Sequence, residues 1–80
     1  MTAKRMFEEL GFNLHVDDEL CKTYKIKHDE NGHNDDPFNW NYVCFNKDNK
    51  TYDVDIMIDG VDIKLHKAIN KQCQELGWFE

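Results

Sequence analysis

The sequence predicts a single α+β domain over residues 1–80, a four-stranded antiparallel meander with an N-terminal and a C-terminal helix packed on one face. Three observations lead to this α-β-β-β-β-α order. Both ends of the chain have amphipathic helical patterns, four segments between them have strand character, and the connections between those segments are short. Short connections favour antiparallel neighbours, and two amphipathic helices have to bury their apolar sides against the sheet.

The N-terminal helix begins after Thr2, which is a suitable N-cap. Apolar residues then follow the helical spacing. They are Ala3, Met6, Phe7 and Leu10. Gly11 provides the left-handed backbone position that ends a helix, and Phe12 is expected to fold back on Phe7.

Four segments are predicted to be strands, at 12–16, 20–28, 38–46 and 51–58. Polar turns at 17–19, 29–37 and 47–50 separate them. The third segment is ambiguous, because Trp40 and Tyr42 share one face while Val43 and Phe45 point to the other. Either both faces of this strand are covered or a bulge changes its phase.

The fourth strand alternates most clearly. Its inward residues are Tyr52, Val54, Ile56 and Ile58. Asp53 and Asp55 point outward. With Tyr24 and Ile26 of the second strand, the inward residues are expected to meet both helices, which leaves the opposite face of the sheet exposed to solvent.

The C-terminal helix is the longest helical pattern and lies within 62–79. Its apolar stripe has spacings of three and four. The stripe consists of Leu65, Ile69, Cys73 and Leu76. Asp62 is the expected N-cap, Gln72 falls at the edge of the stripe, and Gly77 ends the helix so that Trp78 folds back near Cys73.

Composition excludes several classes of function. Sixteen acidic residues against ten basic residues give a net charge of −6, which disfavours direct binding to nucleic acid and to anionic membranes. The three cysteines are widely spaced and predict reduced thiols rather than a disulfide framework. The first residues lack the apolar core of a secretory signal, so a cytoplasmic protein is expected.

Catalytic and cofactor motifs are not found in the sequence. It contains no serine and no glycine-rich phosphate loop, so we predict neither an enzyme nor a bound cofactor. Possible metal ligands cluster only around His28 and His33, and strand pairing would be needed to bring Cys21 and Cys44 near. The spacing matches no zinc or calcium template, so no metal site is predicted; a small metal or ligand-binding module is kept as an alternative.

Partner binding is the remaining hypothesis. Outward residues two apart on a strand stand about 7 Å apart, so Asp53 and Asp55 approximate the spacing of successive DNA phosphates along one strand. Asp35 and Asp36 would extend this acidic face, and Trp40 is a candidate because exposed aromatic residues mark partner surfaces. The alternative is that the acids only increase solubility.

The two ends of the chain also resemble a known group of proteins. The segments Met-Phe-Glu-Glu-Leu-Gly at 6–11, Lys-Ala-Ile-Asn-Lys-Gln at 67–72 and Glu-Leu-Gly-Trp at 75–78 resemble a family of small uncharacterised proteins from bacteriophages and prophages of Gram-positive bacteria. The resemblance covers about a third of the chain. The loop 29–37 and the aromatic third strand differ from it.

The resemblance implies a phage-encoded accessory protein in the bacterial cytoplasm that acts by binding a host macromolecule. One form of this hypothesis is inhibition of a host defence protein or nucleic-acid-binding protein through the acidic face. The family has no established activity, so the resemblance assigns no functional residue. The alternative is a small structural or oligomerising subunit, and the chain is expected to be a monomer or a weak homodimer.

Overall fold

The computed structural model describes residues 1–33, 35–56 and 60–80, and it confirms the predicted fold class. The elements in order are α1 (Ala3–Glu9), β1 (Asn13–Asp17), β2 (Cys21–Lys27), a short 3-10 turn (Pro37–Asn39), β3 (Trp40–Asn46), β4 (Thr51–Asp55) and α2 (Ile63–Glu75). The strands form one antiparallel sheet in the order β1-β2-β3-β4. Neighbouring strands are therefore consecutive in the chain.

Both helices begin at the predicted caps. The Thr2 hydroxyl accepts the Arg5 N–H at 3.2 Å, and the Asp62 carboxylate accepts the Leu65 N–H at 2.8 Å. These contacts satisfy backbone donors that have no partner within the first turn of a helix.

Both helices also end as predicted, with a glycine in the left-handed region. Gly11 has φ 95° and Gly77 has φ 74°. The Phe12 N–H donates to the Phe7 carbonyl at 3.0 Å, and the Trp78 N–H makes the corresponding bond in α2. Each stop is a Schellman motif, and the Phe7 and Phe12 rings meet edge to face with their centroids 5.6 Å apart.

The sheet has two distinct faces, because opposite residues in antiparallel strands share a face. Tyr24 pairs with Val43, which pairs with Val54. Tyr24 and Val43 are completely buried. We call this side the inner sheet face. It packs against residues of both helices, including Phe7, Leu65 and Ile69.

The two helices are joined at one end by a charged contact. The Ala3 N–H donates to Glu75 Oε2 at 2.7 Å, so the beginning of α1 lies beside the end of α2. A carboxylate is favourable at the beginning of a helix because the free N–H groups there are partly positive.

One predicted ambiguity is resolved, and one strand prediction needs correction. The predicted ambiguity in β3 is resolved without a bulge, because β3 pairs with both neighbours in unbroken register and has side chains on both faces. The register shift is in β1, between Leu14 and Val16. Val16 therefore lies opposite Thr23 and away from the helices, whereas the simple alternation predicted for segment 12–16 would place it on the same face as Leu14.

Strand ends and three side chains also differ from prediction. β3 begins at Trp40, because Phe38 lies in the 3-10 turn and is 76% exposed. β4 ends at Asp55, and the predicted Ile58 lies outside the described residues. Tyr52 is 46% exposed at the sheet edge, although its ring contacts Phe45. Gln72, expected at the edge of the helical stripe, is 1% exposed.

Candidate functional site

The candidate site is the face of the sheet opposite the helices, which we call the outer sheet face. The strand register and alternation place the following side chains there: Asn13, Val16, Cys21, Thr23, Lys25, Lys27, Trp40, Tyr42, Cys44, Asn46, Thr51, Asp53 and Asp55. None of them belongs to the buried core that the helices share with the sheet. The described helices thus leave this face uncovered.

Trp40 lies at one end of the outer sheet face and is half-buried. The Lys25 ammonium lies 4.2 Å from the centre of its ring, and that of Lys27 lies 5.7 Å away. Both distances are within the range of a cation–π attraction. The indole is therefore held beneath two cations, and the lysine stems cover part of its ring.

The middle of the face has opposite charges on the two sides of β3. Lys25 pairs with Tyr42, and Tyr42 pairs with Asp55, so these residues form one row across the sheet. The His15 ring lies 6.1 Å from the Tyr42 ring. The row therefore places an aromatic group between a lysine on β2 and an aspartate on β4.

Three of the five predicted partner-binding residues come together on this face. Asp53 and Asp55 are exposed on β4, and Trp40 is on the adjacent strand. Asp35 and Asp36 are exposed in the loop that precedes β3. Asp36 Oδ1 accepts the Phe38 N–H at 3.0 Å as the cap of the 3-10 turn, so Asp36 has a local structural role.

Asp53 also has a neighbour on the outer sheet face. Asn46 Nδ2 donates to Asp53 Oδ2 at 2.9 Å and to Thr51 Oγ1 at 3.1 Å. The amide fixes the orientation of this carboxylate while leaving its charge exposed. Asp53 is consequently presented in a defined direction at the β4 side of the face.

Asp17 and Asp18, the acidic pair at the β1–β2 turn, do not enlarge the acidic area formed by Asp53 and Asp55. The Lys47 ammonium donates to Asp17 Oδ1 at 2.9 Å, and Lys22 is 3.6 Å from Oδ2; these lysines, Lys47 first, lower the pKa of that carboxyl. Asp18 Oδ1 accepts the N–H groups of Cys21 and Leu20 at 2.9 Å each, which lowers the pKa of Asp18. Both carboxylates therefore hold the turn together.

Asn39 organises the loop that leads to Trp40, a role that was not predicted from the sequence. It is 6% exposed. Its Oδ1 accepts the Asp29 N–H and its Nδ2 donates to the Asp29 carbonyl, both at 2.9 Å, while Nδ2 lies 3.4 Å from the His33 carbonyl. The Asn39 carbonyl accepts the His28 N–H at 2.7 Å. An asparagine between a proline turn and a strand is the only sequence signal for this role.

Strand pairing brings Cys21 and Cys44 together, which is the condition for any ligand site that the two thiols could share. The Thr23 hydroxyl lies 3.3 Å from Cys44 Sγ and 4.0 Å from Cys21 Sγ. Burial raises the pKa of Cys21, with Asp18 and Cys44 adding to the increase and Thr23 opposing it. His28 follows the opposite end of β2, about 23 Å along the strand from Cys21, so the histidines are separated from the thiols.

A cleft of about 460 Å³ lies on the side of the sheet that packs against the helices. Its lining is mainly apolar and includes Leu10, Ile26 and Leu65. The titratable residues in the lining are Lys27, His28 and Asp62. The Asp62 carboxylate already caps α2. Across residues 1–33, 35–56 and 60–80, no three His, Cys, Asp or Glu side chains form a group suited to a metal ion.

Comparison with known proteins does not assign this chain to a family. Protein-family models, curated proteins and solved structures yield no match. Neither of the helices in the described part of the chain combines the length and apolar character that crossing a membrane requires.

Proposed function

We propose that this is a phage-encoded accessory protein that binds a host protein through its outer sheet face. The proposal is supported by one observation above all: an uncovered sheet face with half-buried Tyr42 in its middle row, half-buried Trp40 at one end, and Asp53 and Asp55 along one side. Partner-binding surfaces are enriched in aromatic residues, with charged groups toward the rim. The resemblance of the chain ends to phage and prophage proteins supports the choice of a host partner.

The partner that fits this surface has cationic side chains opposite Asp53 and Asp55. The protein has a net charge of −6, which accelerates association with a basic protein at low ionic strength. Proteins that bind nucleic acid have such basic surfaces. We therefore propose a host nucleic-acid-binding protein, including a defence nuclease, as the class of partner.

The test is capture from a lysate of a Gram-positive host at low salt, with tagged wild-type protein and two charge-reversal variants. Asp53→Lys with Asp55→Lys removes the acidic side of the outer sheet face. Glu8→Lys with Glu19→Lys makes the same change in net charge at exposed positions of α1 and the β1–β2 turn, outside this face. We expect the first pair to lose the partner and the second pair to keep it.

A second variant tests the aromatic residue at the end of the face. Trp40→Ala removes the ring beneath the two lysines and is expected to weaken binding by about 2 kcal/mol or more, the loss typical of an aromatic hot-spot residue. Equal loss of the partner with both charge-reversal pairs would show that net charge alone drives capture. That result, or a complex unaffected by Trp40→Ala and the Asp53/Asp55 pair, would contradict the proposal.

A homodimer is the second candidate, because the outer sheet face is self-complementary. Two copies related by a twofold axis parallel to β3 would place Lys25 of each copy opposite Asp55 of the other, with the two Tyr42 side chains at the axis. Sheets that pack face to face in this way are about 10 Å apart. The row Lys25–Tyr42–Asp55 supports this candidate.

Charge exchange distinguishes the two candidates in sedimentation experiments. For a homodimer, Lys25→Asp alone or Asp55→Lys alone places like charges opposite each other and weakens the dimer, whereas the combined variant restores it. A protein that remains a monomer at concentrations of hundreds of micromolar contradicts the homodimer and leaves the host-partner proposal in place.

A further inference from the structure

We propose that Cys21 and Cys44 form a two-coordinate site for a soft monovalent metal ion, copper(I). The site lies on the outer sheet face at the end of β2 opposite Trp40. Its two ligands lie on the face proposed to bind a partner, but neither is one of the five residues singled out for partner binding, and metal affinity is measured without a partner.

The two sulfur atoms converge on one hydroxyl group. Thr23 Oγ1 is 3.3 Å from Cys44 Sγ and 4.0 Å from Cys21 Sγ. Both thiols are free and half-buried. Cys73, by contrast, is 4% exposed in the core beneath α2, so the chain contains one accessible thiol pair and one separate buried thiol.

The strand register favours a metal bridge over a disulfide. Cys21 pairs with Asn46 and Thr23 pairs with Cys44, so the two cysteines are diagonal neighbours on adjacent strands. Diagonal neighbours have Cα atoms about 7–8 Å apart, at or beyond the limit of roughly 7 Å for a disulfide. Two thiolates bound to one metal ion can span a larger separation than two sulfur atoms in a covalent bond.

The composition of the site selects the metal. Thiolate sulfur is a soft donor, which favours copper(I) among the physiological metals. Zinc needs four ligands, and the described residues offer no group of three or more His, Cys, Asp and Glu side chains around these thiols. Asp53 pairs with Cys44 across β3 and β4, but its Oδ2 already accepts the Asn46 amide. Copper(I) is stable with two sulfur ligands, so it fits the pair without a further donor.

Binding replaces two protons by one cation. Each thiol loses its proton to solvent, and the two thiolates bind copper(I), so the site changes from neutral to a net charge of −1. No electron is transferred, because the copper enters and remains as copper(I). The Thr23 hydroxyl can still donate its hydrogen to one of the bound sulfur atoms and stabilise that negative charge.

The test is an anaerobic titration of the reduced protein with copper(I) in competition with a chromophoric copper(I) chelator. We expect one equivalent to bind to wild-type protein and the affinity to fall at least 100-fold in both Cys21→Ser and Cys44→Ser. Cys73→Ala keeps two thiols in the site and should retain wild-type affinity. Circular dichroism of each apo variant checks that the substitutions leave the fold intact.

A second measurement needs no substitution. X-ray absorption of the copper-loaded wild-type protein should show two sulfur ligands and no nitrogen ligand, and zinc(II) should compete poorly for the site. Equal affinity in either serine variant, a nitrogen ligand, or zinc binding as tight as copper(I) binding would overturn the proposal.

Discussion

The hydroxyl group of Tyr24 donates a 2.6 Å hydrogen bond to Oε1 of Gln72 in the middle of the core. Tyr24 is on the inner sheet face, Gln72 is on α2, and both are almost completely buried. The Tyr24 ring also stacks on Phe7 of α1, with the ring centroids 4.0 Å apart. This one side chain therefore joins the sheet to both helices.

Tyr24→Phe should lower the free energy of unfolding by about 1–3 kcal/mol, because it leaves a buried amide oxygen without its donor. The ring and its stacking on Phe7 are retained, so the loss reports the hydrogen bond. The measurement is chemical denaturation of the wild-type and variant proteins.

A double-mutant cycle checks that interpretation. Gln72→Met alone leaves the Tyr24 hydroxyl unpaired, whereas Tyr24→Phe with Gln72→Met gives an apolar pair that should recover most of the lost stability. Strictly additive losses would show that the two groups do not stabilise the fold through each other.

The free energy of unfolding should decrease at alkaline pH because of the titration of Tyr24. Burial, with smaller contributions from Glu75, Asp17 and Glu8, raises the pKa of Tyr24 above its ordinary value of 10.0. The unfolded chain then releases this proton near pH 10 while the folded protein retains it, so the unfolded state gains stability as the pH rises further. The free energy of unfolding should decrease by about 1.4 kcal/mol per pH unit above that point.

Denaturation between pH 8 and pH 11 measures this slope. Tyr52→Phe, at a residue that is 46% exposed, is the matched control and should keep the wild-type slope. Tyr24→Phe should reduce it. An identical alkaline decline in both variants would assign the effect to other groups.

The buried pair of Tyr24 and Gln72 could not be predicted from the sequence. Local signals were sufficient for the helix boundaries, because Thr2, Asp62, Gly11 and Gly77 act on backbone groups a few residues away. The helical rotation of about 100° per residue placed Gln72 at the edge of the apolar stripe. Only the tertiary fold brings the Tyr24 hydroxyl to it and makes its burial favourable.

The candidate site could also be predicted from the sequence only in part. Alternation along β4 identified Asp53 and Asp55 as outward residues, and the structure places both on the outer sheet face with Trp40. The bulge between Leu14 and Val16 has no glycine or other local marker, so alternation put both on one face. The convergence of Cys21 and Cys44 depends on strand register, which the separate segments do not specify.

Gly32 should tolerate no side chain while Asn39 is in place. A Cβ atom at Gly32 would lie 2.7 Å from Asn39 Nδ2, and the Asn39 amide cannot withdraw without breaking its bonds to Asp29. Gly32→Ala should therefore cost about 1–3 kcal/mol, the range for overpacking a filled site.

Thermal denaturation of three variants tests this interpretation. Asn39→Ala should be destabilising by itself, because it removes the amide contacts of the loop, and adding Gly32→Ala to it should then cost little more. A full additional loss in the combined variant would mean that the Asn39 amide is not the obstacle.

Lys50→Gly should stabilise the protein. Lys50 closes the β3–β4 turn with φ 58°. It is the one residue other than glycine that has a positive φ in the part of the chain that the structure describes. The left-handed region costs an ordinary residue roughly 1–2 kcal/mol, and glycine relieves this strain at a smaller entropic cost. We expect a net gain of about 0.5–1 kcal/mol in the free energy of unfolding.

The same substitution on a helix provides the control of opposite sign. Lys67 is exposed within α2, so Lys67→Gly should cost about 0.5–1 kcal/mol through the poor helix propensity of glycine. Lys50→Val, which places a β-branched residue at a positive φ, should be destabilising. Loss of stability in Lys50→Gly would show that the lysine side chain contributes more to the turn than its backbone strain costs.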